Sequence, residues 1–161
     1  MSKERNVFEF PDTFKVDCYI KSPKKYDVSE MIKVIGNKIL NYNIAHIIIQ
    51  YNDKLLNRFS TKDYELQAFL DKTIVPNTYN LIIKTKLLES LEDIICHEMV
   101  HFDQYERGDL KLKNTDNSGP IFIWKGEEFS SDSNYSSRPW EEEARSKQYN
   151  IWKQFKNLYY K

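Results

Sequence analysis

The residues whose types and spacing could do chemistry lie in one short stretch, His97-Glu98-Met99-Val100-His101. In a helix each residue advances by about 100°, so side chains four positions apart stack one turn above each other. His97 and His101 would then present two imidazoles on one face, at a spacing that a single Zn²⁺ can bridge. Glu98 would lie at the edge of that face, where its carboxylate could act as a general base on a metal-bound water. The stretch therefore predicts a hydrolytic metal centre.

The residues around the two histidines predict that this helix is buried. Burying two imidazoles and a carboxylate without partners costs several kcal/mol, and a bound metal ion would remove that cost. The alternative is an exposed or hydrogen-bonded pair of histidines, which predicts no metal. Cys96 adjoins His97 but points about 100° away, so we expect it in the core. The apolar flanking residues are Ile94, Ile95, Met99, Val100 and Phe102.

A catalytic zinc site needs a third protein ligand, because such sites use three side chains and leave one position for water or substrate. No histidine follows His101, so the candidates downstream are carboxylates. The cluster Glu141-Glu142-Glu143 opens a predicted helix about 40 residues after His101. Three acids in a first helical turn also interact favourably with the helix dipole, which is the simpler interpretation of each one. The residues alone therefore predict a ligand in this cluster without selecting one.

The wider pattern carries a resemblance to a known family. The His-Glu-Met-Val-His stretch is followed by Gln104, then by Trp-x-Gly at Trp124, then by Tyr-x-x-Arg-Pro-Trp-Glu-x-Glu-Ala from Tyr135. It resembles the gluzincin branch of zinc metallopeptidases, in particular small phage-type metallopeptidases, which are similar to minimal one-domain zincins such as the SprT-like group. The resemblance covers roughly residues 94–145. Several gluzincins place the ligand Glu three residues before a small Ala, which implies Glu141 as the third ligand and Glu143 as second choice.

The resemblance also implies an activity, the hydrolysis of peptide bonds by a zinc-activated water with Glu98 as general base. Tyr135 and Arg138 are candidates for stabilising the oxyanion, although Tyr135 could equally pack the loop and Arg138 could pair with an acid of the cluster. Many gluzincins carry Asp or Asn after the small Ala to brace a zinc-bound His. Here that position is Arg145, so we expect another brace and propose Asp93, one turn before His97.

Hydrophobic patterning predicts an α+β fold. With the resemblance, it implies a single-domain minimal zincin-like fold over residues 1–161, with a polar lead-in at 1–12 and loops at 109–120 and 130–137. The strand 78–84 is expected to line the cleft, so that an extended substrate could add to its edge. His46, at the start of a strand, is expected to make an ordinary hydrogen bond. The predicted elements are strands 14–20, 45–51 and 78–84, helices 29–42 and 86–107, a helix from Ser60 burying Tyr64, Leu66, Phe69 and Leu70, a hairpin at 121–129 and a helix from Pro139.

Composition limits the classes of partner. With 40% hydrophobic residues in 161, the chain can form one domain with a real core. Its 24 basic and 24 acidic side chains cancel, which gives no support for nucleic acid or an anionic membrane as partner. No apolar run approaches the ~20 residues of a membrane span, and no secretory signal is visible. Two distant cysteines predict reduced thiols and a cytoplasmic protein, in the host cell if phage-encoded.

The expected protein is a monomer that acts on a peptide or protein substrate. Two other classes stay open at this point. One is a metal-binding module without catalysis, such as a phage virion or interaction protein that keeps the fold. The other is a structural protein with an accidental motif, which predicts no stoichiometric metal.

Overall fold

The computed structural model describes residues 12–20, 27–60, 65–113, 120–130, 133–134 and 137–160. The fold is α+β, as predicted. A π-helical segment, Val34–Ile39, continues the first helix. The elements in chain order are β1 (Phe14–Cys18), α1 (Val28–Lys33), β2 (Ala45–Tyr51), α2 (Asp53–Phe59), β3 (Ala68–Lys72), β4 (Thr78–Ile83), α3 (Leu91–Glu106), β5 (Leu110–Lys113), β6 (Ile121–Trp124), β7 (Glu127–Phe129) and α4 (Pro139–Tyr159).

The main sheet has the strand order β1-β2-β4-β3. The strands β1, β2 and β4 are parallel, and β3 runs antiparallel to β4 at the edge. One face of the sheet packs on α1 and α3 through a buried core, in which Ile47, Tyr79 and Leu81 meet Met99 and Phe102. On the other face, α2 covers a smaller cluster. The near-continuous apolar sequence of β2 and β4 follows from burial on an interior position of the sheet.

The prediction of a helix from Ser60 is wrong for the residues that the structure describes. Residues 68–72 form the edge strand β3, and the helix of this region, α2, comes earlier, with the Asn52 side chain accepting a hydrogen bond from Leu55 N–H as its N-cap. Within β3, the buried residues Ala68 and Leu70 alternate with less buried neighbours, which is the period of a strand. The prediction for strand 78–84 needs a related correction, because β4 is interior and β3 has the edge.

The helices α3 and α4 pack along each other and carry the residues of interest. Ser90 caps α3 by accepting from Asp93 N–H, and Gly108 ends it with a φ of 80°. Pro139 starts α4 at a position where its missing N–H costs nothing. Both helices agree with the prediction, although α3 begins five residues later than expected.

A second sheet of strand order β5-β6-β7 lies against the start of α4. Its predicted hairpin is confirmed, with Lys125 and Gly126 in the turn at positive φ. The rings of Phe122 and Phe129 lie 5.1 and 5.2 Å from that of Trp140. The strand β5 was not predicted, because its residues were assigned to the loop 109–120.

Some predictions lie outside the described residues: those for 1–11, for Tyr64, for Tyr135, for residues 114–119 of the loop 109–120, and for residues 131–132 and 135–136 of the loop 130–137. None of the helices in the described ranges has the length and apolarity to cross a lipid bilayer.

Candidate metal centre

The two histidines of the motif lie on one face of α3, as their spacing predicts. Their ring centroids are 4.9 Å apart. In the described part of the chain, the ligand atoms of His97, Glu98 and His101 lie within 4.8 Å of one another. His101 and Glu98 are buried, and His97 is partly accessible. On the opposite face of α3, Ile95, Met99 and Phe102 pack in the core. The face that carries the two histidines is therefore turned towards α4.

Glu141, in the first turn of α4, meets both imidazoles. Its Oε2 lies 2.9 Å from Nε2 of His97, and its Oε1 lies 3.1 Å from Nε2 of His101. Only 4% of Glu141 is exposed. Ligands at about 2.0 Å from a tetrahedral ion are roughly 3.3 Å apart, so contacts of this length suit two nitrogens and an oxygen around one Zn²⁺.

The contacts within this triad need either protons on the rings or a metal ion. An ionised carboxylate only accepts hydrogen bonds, so each contact between a ring Nε2 and the carboxylate needs a proton on the ring or a metal ion bound by both. Burial lowers the pKa of His101, but the charge and hydrogen bond of Glu141 raise it to about 9. Burial raises the pKa of Glu141, but the charges and hydrogen bonds of His101 and His97 bring it well below its usual range. The donor set fits a divalent metal of the zinc type.

The second nitrogen of each imidazole is held by a glutamine. Nδ1 of His97 lies 2.8 Å from Oε1 of Gln148, and Nδ1 of His101 lies 2.7 Å from Oε1 of Gln104. The proposal that Asp93 braces a histidine is therefore wrong, because Gln148 takes the Nδ1 of His97. Because an amide oxygen only accepts, each Nδ1 is the protonated nitrogen, and each Nε2 faces Glu141.

Neither glutamine was predicted as a partner of a histidine, although Gln104 is part of the wider motif, and a signal for each existed. Gln104 follows His101 by three residues, so it shares a helix face with that histidine. Gln148 follows Glu141 by seven residues, two turns along the same face of α4.

Glu98 is the third member of the group that includes His97 and His101, with a carboxylate oxygen within 4.8 Å of a ring nitrogen of each histidine. Its carboxylate accepts a hydrogen bond from the backbone of Leu70 in β3. Burial raises the pKa of Glu98 above its ordinary value, although positive charge on His101 and His97 opposes that rise. A carboxyl group in such a position can take up a proton and give it back, as its predicted role requires.

A pocket of about 400 Å³ opens beside the motif. It lies between the edge strand β3 and α4, with α3 as its floor. The groups that border it include both His97 and Glu98, so a molecule in the pocket would reach the candidate base and one candidate ligand. Its remaining lining residues are Leu66, Gln67, Ala68, Glu89, Ile94, Arg145, Gln148 and Tyr149.

The other acids of the α4 cluster lie elsewhere. Glu142 is exposed. Glu143, the second choice as ligand, accepts hydrogen bonds from Arg107 at 2.6 Å and from Gln104 at 3.3 Å, so it ties α4 to the end of α3. The structure thus brings Glu141, and not Glu143, to the two imidazoles.

Arg138 has contacts that hold the start of α4. Its guanidinium lies 4.9 Å from the ring centroid of Phe122 and 5.7 Å from that of Trp140, and it donates to Ser133 Oγ at 3.1 Å. Its role at the oxyanion stays a prediction that these contacts do not support. Tyr135 lies outside the described residues, so its predicted role also stays untested.

The remaining histidine and the neighbouring cysteine behave as expected. His46 Nε2 lies 2.7 Å from Asp17 Oδ2 on the adjacent strand, an ordinary hydrogen bond. Cys96 is buried in the core, and burial raises the pKa of its thiol to about 12.

Comparison of the chain with protein-family models, with curated proteins and with solved structures gives no match.

Proposed function

We propose that this protein is a zinc-dependent metallopeptidase of the gluzincin type. The observation that carries the proposal is the contact of Glu141 with Nε2 of both His97 and His101, with a carboxylate oxygen of Glu98 within 4.8 Å of a nitrogen atom of each ring. His97, His101 and Glu141 would hold the ion. When bound, zinc would act as a Lewis acid that makes water a better nucleophile and polarises the substrate carbonyl.

Glu98 is the residue proposed to move the proton. Its carboxylate would accept a proton from the attacking water and then deliver it to the amine of the leaving peptide. Burial is the main cause of the raised pKa of Glu98. A pKa nearer to neutral pH favours both the uptake of the proton from water and its release to the amine. The hydrogen bond from the backbone of Leu70 would hold the carboxylate in a fixed position.

The position of β3 at the end of the main sheet supports an extended peptide as the substrate, because within the described residues no strand pairs with its outer side. Lys84 N–H donates to Gln67 O and Thr73 N–H donates to Thr78 O, so alternate residues of this segment bond to the interior. By the pleat of an antiparallel pair, the backbone groups of Ala68, Leu70 and Lys72 then point away from β4, and that of Leu70 already bonds to Glu98. A peptide that adds to this edge would run across Glu98 and His97, in the pocket that they border.

The test is digestion of a mixed peptide library by wild-type protein and by Glu98→Gln, both loaded with zinc. We expect cleavage by wild type and a loss of at least about 100-fold in the variant, because the proton acceptor is removed. Glu142→Gln, which changes an exposed acid, is the matched control and should cleave normally.

Two results would contradict the proposal. Equal cleavage by wild type and Glu98→Gln would point to another catalyst. Zinc binding without cleavage of any peptide would favour the alternative, a zinc-binding module that keeps the fold without catalysis.

A further inference from the structure

The side chain of Gln104 lies between α3 and α4 and is fully buried, with 0% exposure. Its Nε2 donates to the backbone oxygen of Trp140 at 3.0 Å and to Glu143 Oε1 at 3.3 Å. Both of these oxygens only accept, so the amide has one orientation, with Oε1 towards His101. Nδ1 of His101 must therefore donate to Gln104, which leaves Nε2 as the nitrogen that can bind a metal.

The same side chain connects two of the proposed ligands. It holds the ring of His101 directly, and it holds the carbonyl of Trp140, the residue before Glu141. A displacement of Gln104 would therefore move an imidazole and a carboxylate relative to each other.

Gln148 does for His97 what Gln104 does for His101, but from an accessible position. Its Oε1 accepts from Nδ1 of His97 at 2.8 Å, and the residue also borders the pocket. The substitution of Gln148 can therefore change the charge beside His97 without opening a hole in the core between α3 and α4.

We infer that Gln104 and Gln148 are positioning residues that set the metal affinity of the centre, an inference that rests on the proposed zinc site. Both partners are neutral amides. A carboxylate in the same place would draw the Nδ1 proton more strongly and make the imidazole a more basic ligand. With amides, the imidazoles donate less electron density, so the ion is bound more weakly and stays more electron-poor.

The test compares zinc affinities of wild type, Gln148→Glu and Gln148→Leu, measured by competition with a coloured chelator at fixed pH. We expect Gln148→Glu to bind zinc about tenfold more tightly, and Gln148→Leu to bind it about 10–100-fold more weakly. Gln154→Glu and Gln154→Leu, at an exposed position of the same helix, are the matched controls and should leave the affinity unchanged.

A second measurement uses Co²⁺ as a spectroscopic probe. Gln104→Leu should weaken Co²⁺ binding and change the visible absorption bands, because two ligands lose their fixed orientation. Gln104→Asn should restore neither the Co²⁺ affinity nor the absorption bands of wild type, because its shorter side chain cannot reach both His101 and the Trp140 carbonyl.

The failures of the two proposals can be told apart. Zinc that binds wild type, is lost in Glu141→Ala, and binds both Gln148 variants within about twofold of wild type would overturn this inference alone. The absence of zinc binding by wild type would overturn the proposed function together with it.

Discussion

Three adjacent acids at the start of α4 have three different environments. Glu141 is buried against two imidazoles, Glu142 is exposed, and Glu143 pairs with Arg107. Steps of about 100° around the helix separate them, so only one can face α3 at the height of the histidines. The choice of ligand is therefore decided by the rotation of α4 about its own axis, which is set where Trp140 packs on the second sheet.

At the residue scale, the sequence predicts what lies within one helix better than what lies between two helices. The spacing of His97 and His101 on one helix predicts their common face, because helix geometry is local. The selection of Glu141 came from the family resemblance, since nothing local fixes how one helix is rotated against another. The braces were mispredicted for the same reason: Gln148 reaches His97 across an interface between two helices.

Arg138 offers a prediction that separates a structural from a catalytic role. It is 5% exposed and lies over the rings of Phe122 and Trp140. We expect Arg138→Ala to lower the free energy of unfolding by about 2–3 kcal/mol through lost ring and hydrogen-bond contacts. The turnover number of the folded protein should change by less than about threefold. Denaturant unfolding and peptide hydrolysis measure the two quantities.

A large fall in the turnover number of Arg138→Ala, with an unchanged free energy of unfolding, would instead support a role of Arg138 at the oxyanion.

At the scale of elements, the sheet is where prediction and structure differ most. The segment before β4 contains Leu66, Phe69 and Leu70, whose spacing is compatible with one face of a helix. The structure instead places Ala68 and Leu70 in the main core and Phe69 against the smaller cluster on the other face of the sheet, because pairing with β4 satisfies the backbone of an edge strand. Such long-range pairing is not visible in a short window of sequence. By contrast, both β2 and β4 were predicted as strands, and β2 was predicted as an interior strand from its nearly continuous apolar run.

The junction between β1 and the π-helical segment gives a prediction at this scale. Gly36 is buried, and a Cβ added there would overlap the ring of Phe14. We expect Gly36→Ala to destabilise the fold by about 1–3 kcal/mol through overpacking. Phe14→Leu should relieve part of that cost. The double variant should therefore lose less free energy of unfolding than the two single variants lose together. Denaturant unfolding of all four proteins measures the coupling.

Additive effects in this cycle would show that the ring of Phe14 does not limit the space at Gly36.

For the whole molecule, the proposed ion would join the two helices that carry the site. His97 and His101 lie on α3 and Glu141 on α4, so a bound metal would cross-link them. A ligand that binds only the folded state raises stability by about 4 kcal/mol at a concentration of 1,000 times its dissociation constant. We expect zinc to raise the melting temperature and a chelator to lower it again.

The effect of zinc should grow with pH. Without metal, the raised pKa of His101, about 9 against an ordinary 6.5, contributes stability that is present below about pH 6.5 and lost as the pH rises through 9. The groups that face this ring are His97, Glu98, Gln104 and Glu141. Zinc replaces the protons, so the increase in melting temperature should be larger at pH 8.5 than at about pH 6. Thermal melts with and without zinc across this range would measure it, and a constant increase would contradict the linkage.

The central claim is that His97, His101 and Glu141 bind one zinc ion together. Its most direct test is the zinc content per chain of purified protein, measured by elemental analysis after exchange into metal-free buffer. We predict close to one zinc per chain in wild type and in Glu98→Gln, and almost none in His97→Ala or Glu141→Ala. Undiminished zinc in Glu141→Ala, or no zinc in wild type after incubation with the metal, would contradict it.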